Sequence, residues 1–122
     1  VTAMHKSAAE FIGTFFLVLT IGCTGIATGP GVIPPLAIGA VLMVMIYAGG
    51  HVSGAHYNPA VTLTFTRLGK IAPGDALGYV TAQFVGAVIG EIARGGGLFG
   101  AHAGGPRPSA RARACHRRRR WS

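Results

Sequence analysis

A chain of 122 residues with a formal charge of +8 has room for one domain at most. Charged residues make up 11% of it and apolar residues 50%, which excludes a water-solvated globule with a polar surface and points to a membrane protein. The positive charge sits at one end: before residue 94, Lys6, Arg67 and Lys70 balance Glu10, Asp75 and Glu91, and from Arg94 onward eight arginines stand without a carboxylate.

Residues 8–27, AAEFIGTFFLVLTIGCTGIA, form the first segment long and apolar enough to cross a hydrocarbon core of about 30 Å. Thr28, Gly29, Pro30 and Gly31 then break the helix. A secretory leader would also set a lysine before an apolar run, but Glu10 within it and two further spans favour a retained helix. The second span is expected over 34–51, with Pro34 and Pro35 in its first turn, where a missing N–H is tolerated. The third is expected over 74–93, with Asp75 at the positive end of its dipole. Lys6 precedes the first span, the loop 28–33 is uncharged, and Arg67 and Lys70 precede the third. The N-terminus is therefore expected on the cytoplasmic side and the first loop outside. Cys23 and Cys115 form neither a disulfide framework nor a metal-site spacing.

Between the second and third spans the chain reads GHVSGAHYNPAVTLTF, residues 50–65. One span ends and the next begins on the same side, so this segment must enter the membrane and return. Irregular backbone at membrane depth survives only against protein or an aqueous cavity. Residues 58–68 would make a helix of about 16 Å, half the thickness of the core. Asn58 is a favoured N-cap and Pro59 suits the first helical position. With the Asn58 carbonyl used as the cap, its amide N–H groups remain as donors. Gly54 and Ala60 are small enough for close backbone approach, and an extended chain over 54–57 would leave its carbonyls open as acceptors. The positive end of the half-helix would oppose a cation there. The plainer alternative is that Asn-Pro caps an ordinary cytoplasmic helix; its position after an apolar span favours the re-entrant element.

The stretch SGAHYNPAVT resembles the first signature of the major intrinsic protein family, the aquaporins and glycerol facilitators. Glu10-Phe11-Ile12-Gly13-Thr14 is similar to that family's first helix, and residues 50–56 to its re-entrant loop. Residues 79–87, YVTAQFVGA, are similar to its third helix. The resemblance implies an all-α membrane fold over 1–93: three spans and a half-helix, the first of two inverted repeats. It implies that Asn58, in the motif Asn58-Pro59-Ala60, donates to a single file of water or solute. The carbonyls of Gly54, Ala55 and His56 would accept from that file, and Ile38 would form one wall of the narrowest point. Glu10, His51 and Gln83 would anchor the loop. From the residues alone, Glu10 is equally an interfacial carboxylate, and Gln83 a hydrogen bond between helices. Gly86 and Gly90 form a GxxxG pair suited to close helix packing. His51 and His56 have no carboxylate or cysteine at ligand spacing, so neither a metal nor a catalytic role is expected, and no cofactor.

Against that family's pattern there is no second Asn-Pro-Ala, no filter arginine and no fourth to sixth span. Residues 94–122 are rich in Arg, Gly and Ala, carry no carboxylate, and are expected to be disordered. They would place eight arginines on the outer face, against the positive-inside rule, and a shift of reading frame near 90–95 would explain both departures. Two functions are thus carried forward. One is a passive channel for water or small neutral solutes, truncated and not conducting alone. By resemblance it would be a homotetramer in a bacterial inner membrane or a plasma membrane. The other is a non-conducting membrane anchor whose arginine tail binds anionic lipid, or less favourably nucleic acid. An enzyme is not expected, since no nucleophile, base or metal constellation is present.

Overall fold

The structure is a computed structural model that describes residues 2–26 and 31–95. These form α1 at Ala3–Thr20, a π-helical turn at Ile21–Ile26, α2 at Ile33–Ser53, α3 at Pro59–Arg67 and α4 at Pro73–Gly95; no strand occurs among the described residues. The expectations for the basic tail beyond residue 95, its disorder and its binding of polyanions, lie outside them.

Three of the helices are long and apolar enough to cross a membrane. α1 starts at Ala3 rather than at 8, because apolarity marks where a chain enters lipid and not where helical bonding begins. The His5 and Lys6 N–H groups already donate to the Thr2 carbonyl at 3.0 and 3.3 Å. From Ile21 to Ile26 the helix widens into the π turn; its expected end at 27 and the break over 28–30 lie outside the described residues. Gly22 and Gly25 hold the α conformation weakly, and the Thr24 hydroxyl donates to the Thr20 carbonyl at 2.6 Å. α2 carries Pro34 and Pro35 in its first turn and ends at Gly54, whose φ of 89° closes the helix with a left-handed residue. α4 outlasts its expected end at 93, so Arg94 belongs to the helix rather than the tail, and its guanidinium pairs with Glu91 one turn back.

α1 and α4 run parallel and in register. Lys6 Nζ lies 3.6 Å from Asp75 at one end, and the Arg94 side chain lies against Gly22 at the other. The seam between them is close because Gly86 and Gly90 lack side chains: a Cβ on Gly86 would stand 2.6 Å from the Phe11 carbonyl oxygen, and one on Gly90 2.9 Å from that of Phe15. α2 packs antiparallel on the other side of α1, which brings Ser53 level with Glu10. α3 then returns alongside α4.

Burial is inverted relative to a soluble protein. Glu10, Thr14, Ser53, Thr62 and Gln83 are buried, whereas Leu36, Met43, Tyr47, Leu77, Phe84 and Ile92 are exposed. Apolar side chains gain nothing by leaving lipid, so the interior of such a bundle is set by polar groups that must find each other.

Candidate functional site

The polar interior converges on Glu10, which is wholly buried. Its Oε1 accepts from the Ser53 hydroxyl at 2.6 Å and the His56 N–H at 2.9 Å. Its Oε2 accepts from the Tyr57 N–H at 2.6 Å and the Gln83 side-chain amide at 2.8 Å. One carboxylate on α1 thus holds the end of α2, the linking loop and α4. A carboxylate suits the position because four donors and no acceptor face it. Gln83 passes the connection on, donating also to the Thr62 hydroxyl on α3 at 3.0 Å. Its own Oε1 and the Thr14 hydroxyl are buried without a partner among the described residues. Gln83 lies about 15 Å along α4 from Pro73, near mid-membrane if α4 stands upright.

The loop 54–57 is not extended, as the sequence suggests, but turns through left-handed conformations at Gly54, Ala55 and Tyr57, with φ of 89°, 53° and 49°. Two of these are not glycine, so the conformation must be held by its surroundings. Glu10 draws in the N–H groups of His56 and Tyr57, the Ser53 hydroxyl accepts the Ala55 N–H at 3.1 Å, and the Tyr79 hydroxyl donates to the Ser53 carbonyl at 2.9 Å. With the donors turned inward, the carbonyl oxygens of Gly54, Ala55 and His56 accept no hydrogen bond from the described residues.

α3 follows at once. Asn58 is its N-cap, with Oδ1 accepting the Ala60 N–H at 2.8 Å, and Pro59 is its first residue. Asn58 is exposed, and its side-chain N–H groups have no partner among the described residues. α3 itself is about 14 Å long, too short to cross a bilayer. The His56 ring is held by the Thr62 hydroxyl at 3.2 Å and packs on Phe65 and Tyr79, at ring separations of 4.9 and 5.5 Å.

Of the other residues singled out from sequence, Ile38 is half-buried on the second turn of α2. His51 differs from its expected role: it is exposed near Thr2, His5 and Val52, and among the described residues no hydrogen bond ties it to the loop. A residue two positions before the end of α2 faces away from the side that Ser53 and Gly49 present to α1. Ser53, Tyr57, Thr62 and Tyr79 do the holding instead, and sequence reasoning missed all four. Ser53 and Tyr57 were in plain view beside the motif, but nothing local shows that a carboxylate 43 residues earlier will meet them. Among the described residues no three of His, Cys, Asp and Glu gather as a metal site.

Comparison with known proteins adds to this geometry. The family model described as major intrinsic protein matches residues 1–95. The chain is 43% identical over 91 residues to glycerol uptake facilitator protein-like 6 of Lactiplantibacillus plantarum, covering 74% of this chain and 42% of that protein. It is 40% identical over 93 residues to aquaporin NIP1-1 of Arabidopsis thaliana, covering 70% of this chain and 31% of the relative. For aquaporin NIP1-1 of Zea mays the identity is 42% over 93 residues, covering 70% and 33%. The chain thus spans between about a third and two fifths of the length of these curated relatives. No solved structure matches it.

Proposed function

The chain belongs to the major intrinsic protein family, and on that premise we propose that it supplies one half of a passive transmembrane pore for water or a small uncharged solute. The observation that carries this reading is a juxtaposition: an exposed Asn58 with its oxygen engaged and its amide N–H groups unused follows three carbonyls that accept no hydrogen bond from the described residues. A water or hydroxyl in single file accepts from Asn58 and donates to the carbonyls of Gly54, Ala55 and His56, exchanging hydrogen bonds without a chemical step. The N-terminus of α3 opposes cations at the same point. Ile38 lines one wall, leaving the narrowest part apolar on that side. Asn58, Pro59 and Ala60 begin a helix that fills only part of the thickness, so a second such element completes the passage. The N-terminus lies in the cytoplasm, and the assembled channel is a homo-oligomer.

The test places residues 1–95 in the glycerol uptake facilitator protein-like 6 of Lactiplantibacillus plantarum in place of the matching segment, beside the unaltered 122-residue chain. Water and glycerol fluxes into proteoliposomes are followed by light scattering. The chimera is expected to conduct, the chain alone not, and Asn58→Leu in the chimera to lower flux by about tenfold through loss of a donor. An inserted but silent chimera, or one indifferent to Asn58→Leu, overturns the reading.

A further inference from the structure

Tyr57 stands one peptide bond before Asn58, only 4% exposed, with a φ of 49° that a bulky residue adopts at a cost. Three constraints converge on it. Its N–H donates to Glu10 at 2.6 Å, and its hydroxyl donates to the Met45 carbonyl on α2 at 2.7 Å. Its ring fills the space where Gly13 of α1 and Gly49 of α2 have no side chains: a Cβ on Gly13 would overlap the ring carbons, and one on Gly49 would overlap the hydroxyl oxygen. At this level the loop itself is wedged between the two helices.

We propose that Tyr57 is the positioning residue of the pore-lining segment, its ring keyed into the Gly13–Gly49 socket so that the loop can turn in only one direction. The backbone rotation at Tyr57 sets where the His56 carbonyl and the Asn58 amide point, because both adjoin it. Glu10 supplies the pull on the backbone, and the socket supplies the direction. The functional consequence rests on the channel reading above; the lock itself does not.

The geometry yields a paired test. The Gly49 Cβ position overlaps the Tyr57 oxygen but lies 3.3 Å from Cζ, a separation that a few tenths of an ångström would relieve. Removing the hydroxyl should therefore rescue a methyl at 49, but not one at Gly13, where the obstacle is ring carbon. Backbone amide exchange at His56, Tyr57 and Ala60 is measured on the full chain in lipid nanodiscs. Tyr57→Phe alone should quicken exchange by about fivefold, the effect of one neutral hydrogen bond. Gly49→Ala should quicken it at least about tenfold, and the double variant should return to the level of Tyr57→Phe. Gly13→Ala should be as damaging in the Tyr57→Phe background as in the parent chain. If Gly49→Ala does not fold, the double variant should still do so. Additive effects in the double variant, an unperturbed Gly49→Ala, or rescue of Gly13→Ala by Tyr57→Phe overturns the lock. Flux through the chimera should follow the same order. A silent parent chimera counts against the channel reading and leaves the exchange result standing, whereas a conducting chimera indifferent to Gly49→Ala overturns the positioning role.

Discussion

Replacing Glu10 by glutamine changes one oxygen to an NH2 group and almost no volume, yet each orientation of the amide sets donor against donor. With the NH2 group at the Oε1 position it meets the His56 N–H, and with it at the Oε2 position it meets the Tyr57 N–H and the Gln83 amide. The Ser53 hydroxyl can rotate to accept and the Gln83 amide can turn over to present its Oε1, but the two backbone N–H groups cannot adapt. One or two charge-assisted bonds, each worth about 1.5–3 kcal/mol, are lost, and relief from burying a charge returns part of that. The net loss is about 1–4 kcal/mol, concentrated on the loop. Amide exchange at His56 and Tyr57 should then accelerate roughly 5- to 900-fold, with α1 and α4 amides remote from the site far less affected. The measurement is hydrogen exchange on the parent and Glu10→Gln chains in nanodiscs. Exchange at His56 and Tyr57 unchanged within about threefold would refute the assignment of the carboxylate as the group holding the loop.

Gly86→Ala should lower the thermal stability of the detergent-solubilised chain by about 1–3 kcal/mol, since its Cβ would stand 2.6 Å from a backbone oxygen that cannot swing aside. Gly39→Ala on α2, where nothing lies within 4 Å, is the control and should be neutral or stabilising by up to about 1 kcal/mol; equal melting of the two variants would show that the α1–α4 seam is looser than this packing requires. Gln83→Met keeps the side chain's length but removes the bonds to Glu10 and Thr62, at 2.8 and 3.0 Å. Loss of the unpartnered Oε1 offsets part of this, so a destabilisation of about 1–3 kcal/mol is expected in the same melt, and parental stability would mean that α3 is held by other contacts.

Elements whose physics is local are legible in the residues alone. Three apolar runs mark three membrane-length helices, and Asn58-Pro59 carries its own cap and first turn, so the start of α3 was legible to the residue. The four-residue spacing of Gly86 and Gly90 announced a close helix face, although not the partner that would occupy it. Tertiary structure decided what depends on relative placement. From the residues alone Glu10 is equally an interfacial carboxylate or a buried anchor, until the parallel pairing of α1 with α4 sets Gln83 beside it and the end of α2 brings Ser53 alongside. The loop reads as extended until that same carboxylate gathers its N–H groups and forces Ala55 and Tyr57 into left-handed backbone. Tyr57 reads as one more aromatic residue until Gly13 and Gly49, far apart in sequence, leave it a socket. In lipid, apolar burial cannot choose among such arrangements; buried hydrogen bonds and the absence of side chains at a few glycines can, and both act only once the helices have met.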